Sequence, residues 1–137
     1  GTLDKFLGDG LMAVWGAPVR HEDDALQAVL AALKMVNEVA EVNATRSGEA
    51  PFELGVGLNT GMVLAGSIGS ARRTEYTCIG DTVNVASRLC ALAAPGWVLL
   101  GETTARAVRD DIAVETLEPV RVKGKAQPVP LFRAQGA

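Results

Sequence analysis

The sequence predicts an α+β domain whose mostly antiparallel sheet is covered by helices on one side. Three observations carry that expectation. Short apolar segments come in pairs around Gly, Asn or Asp turn residues, the pattern of hairpins. Other segments repeat their apolar residues at intervals of three and four, the pattern of half-buried helices. The resulting order, ββ–α–ββ–β–α–β–α–ββ, separates the helices by hairpins, which argues for α+β and a largely antiparallel sheet.

The 137 residues suffice for one domain and are too few for two. Apolar residues make up 48% and charged residues 21%, a balance that excludes wholesale disorder. The net charge of −3 offers no basic field for a nucleic-acid partner. Cys78 and Cys90 are the two cysteines, so there is no disulfide framework, and a reducing setting is expected, the cytoplasm or the cytoplasmic part of a longer membrane-attached chain. The start lacks the charged-then-apolar pattern of a signal peptide. The longest uncharged run, Leu54 to Ala71, is broken by five glycines. It reads as two strands and a turn, so no membrane contact is expected from this segment.

Taken in order, Thr2 to Leu7 and Leu11 to Trp15 form a first hairpin around Gly8-Asp9-Gly10. His21 to Asn43 is the strongest helix, with Leu26, Val29, Leu33, Val36 and Ala40 in one stripe. Glu22, Asp23 and Asp24 stand at its start, where negative charge favours the helix dipole. Lone His21 among them suits surface capping. Phe52 to Leu58 and Met62 to Ile68 read as strands joined by Asn59-Thr60-Gly61. Glu75 to Ile79 is a short strand. Asp81 to Ala93 is a second helix, with Asp81 or Thr82 able to cap it. Trp97 to Leu100 is a strand, Glu102 to Arg109 a short helix, and Val114 to Lys123 and Val129 to Arg133 two closing strands. Trp15 and Trp97, in apolar strands, are core candidates.

Four features can carry chemistry. Asp9 sits at a glycine-flanked turn and offers a hard cation such as Mg²⁺ the oxygen ligand it prefers, although Asp-Gly is also ordinary hairpin chemistry. Asn84 and Arg88 are four apart and share a helix face near its start. An amide and a guanidinium so placed suit a polyanion, or form a solvated face. Lys123 and Lys125 flank Gly124 and either neutralise phosphates or make a basic turn. Gly55, Gly57, Gly61, Gly66 and Gly69 lack the strand–GxGxxG–helix context of a dinucleotide site and mark bulges or close backbone approach instead.

Together these features resemble the class III nucleotidyl cyclase catalytic domain, over nearly the whole length. Lys5-Phe6-Leu7-Gly8-Asp9-Gly10 is similar to the family's second metal-site hairpin. Tyr76 through Arg88 resembles its strand-to-helix signature, Val122-Lys123-Gly124 its phosphate-binding closing strand, and Gly55 through Gly61 the preceding hairpin. The signature around Asn84 and Arg88 is the most specific of these.

The resemblance implies a ferredoxin-like cyclase fold, with residues 1–137 as one catalytic domain lacking the family's first strand and helices. It implies an adenylate cyclase that converts ATP to 3′,5′-cyclic AMP and pyrophosphate in signal transduction, with two Mg²⁺ or Mn²⁺ ions at each site. Position by position, Asp9 falls on the second metal-binding aspartate. Lys5 and Thr77 fall on the pair that reads the purine, Asn84 on the residue that orients the ribose, Arg88 on the one that stabilises the transition state, and Lys123 on the triphosphate ligand. The sites of the family form between two chains in a head-to-tail homodimer, so Asp9 serves one site while Lys5, Thr77, Asn84, Arg88 and Lys123 serve the other. The family's first metal aspartate precedes the hairpin at residues 2–15, so these residues alone are expected to be inactive, and an upstream regulatory domain is possible in a longer parent chain. Thr77 stands where most adenylate cyclases of this class have aspartate, which resembles the bicarbonate-responsive subgroup and implies ATP preference with some GTP turnover. Two alternatives stay open: a guanylate cyclase, and a silent cyclase-like module for dimerisation or nucleotide sensing.

Overall fold

The computed structural model describes residues 1–7, 10–16, 20–46, 48–70, 73–121 and 127–136, and at residues 2, 4–7, 64–70 and 73–79 the backbone alone. In chain order the elements are β1 (Thr2–Leu7), β2 (Gly10–Val14), α1 (Asp24–Ala44), β3 (Val56–Leu58), β4 (Leu64–Ser70), β5 (Arg73–Ile79), α2 (Asp81–Leu92), β6 (Val98–Leu100), α3 (Glu102–Val108), β7 (Ala113–Thr116) and β8 (Phe132–Gly136). A four-stranded sheet runs β3-β6-β8-β7, and β1-β2 and β4-β5 form two hairpins. The β3–β6 pair is parallel and every other described ladder is antiparallel. The expected α+β class with a mostly antiparallel sheet is what the chain adopts.

Helices cover the four-stranded sheet on both faces, not on one as its hairpins led us to expect. β6 is the reason. Its three residues are all buried, and they alternate between two cores. Val98 and Leu100 join Val29 and Ala32 of α1 and Ala105 and Val108 of α3. Leu99 joins Val85 and Leu89 of α2, with Leu131. Successive strand residues point to opposite faces, so a strand buried on both sides must be apolar throughout. Trp97-Val98-Leu99-Leu100 is such a run and was the available signal. Trp97 is half-buried against the α2 side, with the Arg133 guanidinium 4.4 Å over its ring; Trp15 is half-buried beyond the end of β2.

The first helix follows its stripe as far as Val36: Val29 is fully buried, and Leu26, Leu33 and Val36 pack against the same core, while Ala40 is exposed. At its start the Asp24 carboxylate accepts the His21 backbone N–H at 2.8 Å, so this histidine belongs to the helix terminus. β3 is shorter than the expected Phe52–Leu58. The Asn43 side chain donates to the Phe52 carbonyl and accepts from its N–H, holding that residue off the sheet as loop. β3 also does not pair with β4. It pairs with β6, while β4 takes β5, from Leu64↔Ile79 to Ser70↔Arg73. The closing strands shift likewise. β7 ends at Thr116, before Pro119, and Val120 meets Val129 only in an isolated bridge. Pro128 and Pro130 flank Val129 and have no N–H to donate, so the ladder resumes only at Phe132.

Candidate functional site

The second helix starts directly where β5 ends. Gly80 makes the junction at φ +138°, ψ 177°, a conformation that a side chain would strain. Gly80, not Asp81 or Thr82, is therefore the N-cap, and it has no side chain to cap the helix. The first helical bond runs from the Asn84 N–H to the Gly80 carbonyl at 3.1 Å. Thr82, free of capping, donates its hydroxyl to the Met62 carbonyl at 2.7 Å.

Val85 and Leu89 seat one face of α2 on the sheet. The seat is close because Gly57 has no side chain: a Cβ there would come 2.3 Å from the Cys90 nitrogen and 2.5 Å from the Ala86 carbonyl oxygen. Asn84 and Arg88 lie one turn apart and are exposed. Among the described residues neither side chain has a hydrogen-bond or ion-pair partner. An amide and a guanidinium near a helix start, where the dipole leaves partial positive charge, suit an anionic ligand.

The remaining candidates fall on the strands around this helix. Lys5 lies on β1 opposite Met12, just past a register shift between Leu3 and Lys5. Thr77 lies on β5 opposite Gly66, three residues before Gly80. β1 and α2 both lie in contact with β5, so the backbone brings the Lys5 and Thr77 strands and the Asn84–Arg88 helix into one neighbourhood. Asp9, Lys123 and Lys125 lie outside the described residues. Among the described residues no cluster of three or more His, Cys, Asp or Glu could hold a metal ion. Nor is any of their helices long and apolar enough to cross a membrane.

Two residues that sequence reasoning gave only local roles also reach neighbouring helices, one α2 and the other α3. The Asn59 side chain, expected merely in a turn, donates to the Thr82 carbonyl at 3.1 Å. Its neighbour Thr60 shares a 2.7 Å hydroxyl–hydroxyl bond with Thr104, which is buried in α3. No periodicity or spacing points to such contacts between segments far apart in sequence. A separate groove of about 290 Å³, between α1 and the loop around Phe52, contains none of the candidate residues.

The adenylate and guanylate cyclase catalytic domain family matches the chain over residues 5–132. The uncharacterised protein Rv1318c of Mycobacterium tuberculosis is 37% identical over 144 residues, covering 99% of this chain and 25% of its own. Rv1320c of the same organism is 38% identical over 139 residues, covering 96% and 23%. The chain thus spans about a quarter of the length of the curated relatives it matches. Among solved structures, the guanylyl cyclase Cya2 superposes with a TM-score of 0.87 at 37% identity, over 99% of this chain and 70% of that one. The adenylyl cyclase CyaB from P. aeruginosa superposes with a TM-score of 0.88 at 32% identity, over 100% and 72%.

Proposed function

The chain belongs to the adenylate and guanylate cyclase catalytic domain family, and from that premise we propose that it forms 3′,5′-cyclic AMP and pyrophosphate from ATP. The observation that carries this reading is the exposed Asn84–Arg88 face at the start of α2, whose side chains have no partner among the described residues. In the reaction the ribose 3′-hydroxyl releases its proton to solvent, its oxygen bonds to the α-phosphorus, the bond from that phosphorus to the bridging oxygen breaks, and pyrophosphate leaves. Negative charge grows on the α-phosphoryl oxygens along the way. Arg88 is the transition-state residue, donating to those oxygens. Asn84, one turn earlier, orients the ribose so that the 3′-oxygen stands in line. A preorganised donor of this kind is worth roughly 3–4 kcal/mol of barrier.

Lys5 and Thr77 read the purine in this proposal. A threonine hydroxyl accepts a hydrogen bond from the adenine amino group, and it can also turn and donate to guanine O6. ATP preference with measurable GTP turnover follows. Lys123 holds the triphosphate. Asp9 contributes carboxylate oxygens to two divalent cations, Mg²⁺ or Mn²⁺, which when bound acidify the 3′-hydroxyl and offset the charge of the leaving pyrophosphate. Two copies of the catalytic domain sit head to tail, Asp9 of one completing the site that holds Arg88 of the other. A guanylate reading is favoured by the 37% identity to the guanylyl cyclase Cya2. Incubating the intact protein with ATP and with GTP in parallel, and identifying the cyclic product, separates the two. Cyclic AMP as the main product supports the adenylate reading; cyclic GMP in excess replaces it with the guanylate one.

A further inference from the structure

The apolar seat of α2 sets how closely the helix approaches the sheet but fixes its rotation and slide only weakly, because hydrophobic contact is non-directional. Hydrogen bonds are directional and can set both. Residues 59–63 supply two, running in opposite senses to one residue of the first turn. The Asn59 amide donates to the Thr82 carbonyl at 3.1 Å, and the Thr82 hydroxyl donates to the Met62 carbonyl at 2.7 Å. Gly61 leaves room for this closure, since a Cβ there would lie 2.7 Å from the Thr82 hydroxyl oxygen.

The segment that holds Thr82 is itself held. The Gly101 N–H, at the N-cap of α3, donates to the Leu58 carbonyl at 2.9 Å. The Asn59 Oδ1 occupies the space a Gly101 side chain would need, 2.1 Å from an added Cβ. Thr60 bonds the hydroxyl of Thr104, which is 1% exposed. The first turn of α2 is thus tied, through Asn59 and Thr82, to the end of β3 and the start of α3. Asn84 stands two residues beyond Thr82, and Arg88 one turn further.

We propose that Asn59 and Thr82 are positioning residues for the cyclase reaction, fixing the rotation and slide of α2 so that Asn84 and Arg88 meet the nucleotide. The inference rests on the function proposed above. Neither residue touches substrate in this assignment; both act through the helix. A displacement of 1 Å at a reacting group can cost about a hundredfold in rate.

The test uses three variants of the intact protein, assayed with ATP and GTP at saturating Mg²⁺. Thr82→Val keeps the shape and removes the donor, Thr82→Ser keeps the donor, and Asn59→Ala removes the other bond. The expected result is a fall in kcat of about tenfold or more for Thr82→Val and Asn59→Ala, with KM within about threefold of the parent. Thr82→Ser is expected to restore kcat to within about twofold. Circular dichroism and thermal melting establish the folded fraction to which each rate is normalised, and Asn59→Ala carries the test if Thr82→Val does not fold. Unchanged kcat per folded molecule, a loss confined to KM, or a Thr82→Ser variant no better than Thr82→Val overturns the positioning role. A parent protein that cyclises neither nucleotide refutes the underlying cyclase reading instead, and the inference falls with it.

Discussion

Replacing Gly57 with alanine drives a methyl group into the backbone of α2. The added Cβ would lie 2.3 Å from the Cys90 nitrogen, 2.5 Å from the Ala86 carbonyl oxygen and 2.8 Å from the Leu89 carbonyl carbon. All three are main-chain atoms, so no change of rotamer relieves the clash. Ordinary contact begins at 3.4 Å, so the helix must retreat by about 1 Å. The retreat loosens Val85 and Leu89 against Leu99, residues that are 7%, 1% and 1% exposed. Overpacking of this kind costs about 1–3 kcal/mol, and a clash with rigid backbone belongs at the upper end. For a domain of this size each kcal/mol lowers Tm by roughly 3–5 °C, so the expected fall is about 10 °C. Thermal melting followed by circular dichroism reads it directly. Because Asn84 and Arg88 ride on the displaced helix, kcat measured well below the melting transition falls as well. A Tm within about 2 °C of the parent would show that α2 does not pack on Gly57 as described.

Mixing inactive Asp9→Ala and inactive Arg88→Ala chains is expected to restore activity, since one of the two sites in a mixed dimer is intact; no recovery in proven mixed dimers refutes the shared site. Sodium bicarbonate titrated against sodium chloride at constant pH and ionic strength is expected to raise kcat if Thr77 marks the bicarbonate-responsive subgroup, and a flat response removes that regulatory reading alone. Thr104→Val leaves the Thr60 hydroxyl without its 2.7 Å partner and is expected to lower stability by about 1–2 kcal/mol in urea unfolding. A midpoint unchanged from the parent would mean that water replaces the bond at no cost.

The sequence revealed most where a pattern is local. The stripe through Leu26, Val29, Leu33 and Val36 located α1, and the paired apolar segments around residues 8–10 located the first hairpin. Partner choice was less legible. Nothing in Val56-Gly57-Leu58 says that it lies beside Val98-Leu99-Leu100 in parallel, because that pairing is made across about forty residues and rewarded only by the finished core. The burial of β6 on both faces was written in its uninterrupted apolar run, but the hairpin count weighed toward one-sided cover. For the candidate site, helix spacing alone placed Asn84 and Arg88 on one exposed face. The ties through Asn59 and Thr82 were not legible, since both residues satisfy a simpler local role, turn and cap, that the fold did not use.

The central claim is that Arg88 acts on charge that develops during cyclisation. Steady-state kinetics of Arg88→Ala in the intact protein, with ATP and Mg²⁺, test it most directly. Loss of one such donor is expected to lower kcat by about a hundred- to a thousandfold while KM stays within a few-fold. A variant whose KM rises while kcat holds would show that Arg88 only helps bind the nucleotide, and would contradict its place in the transition state.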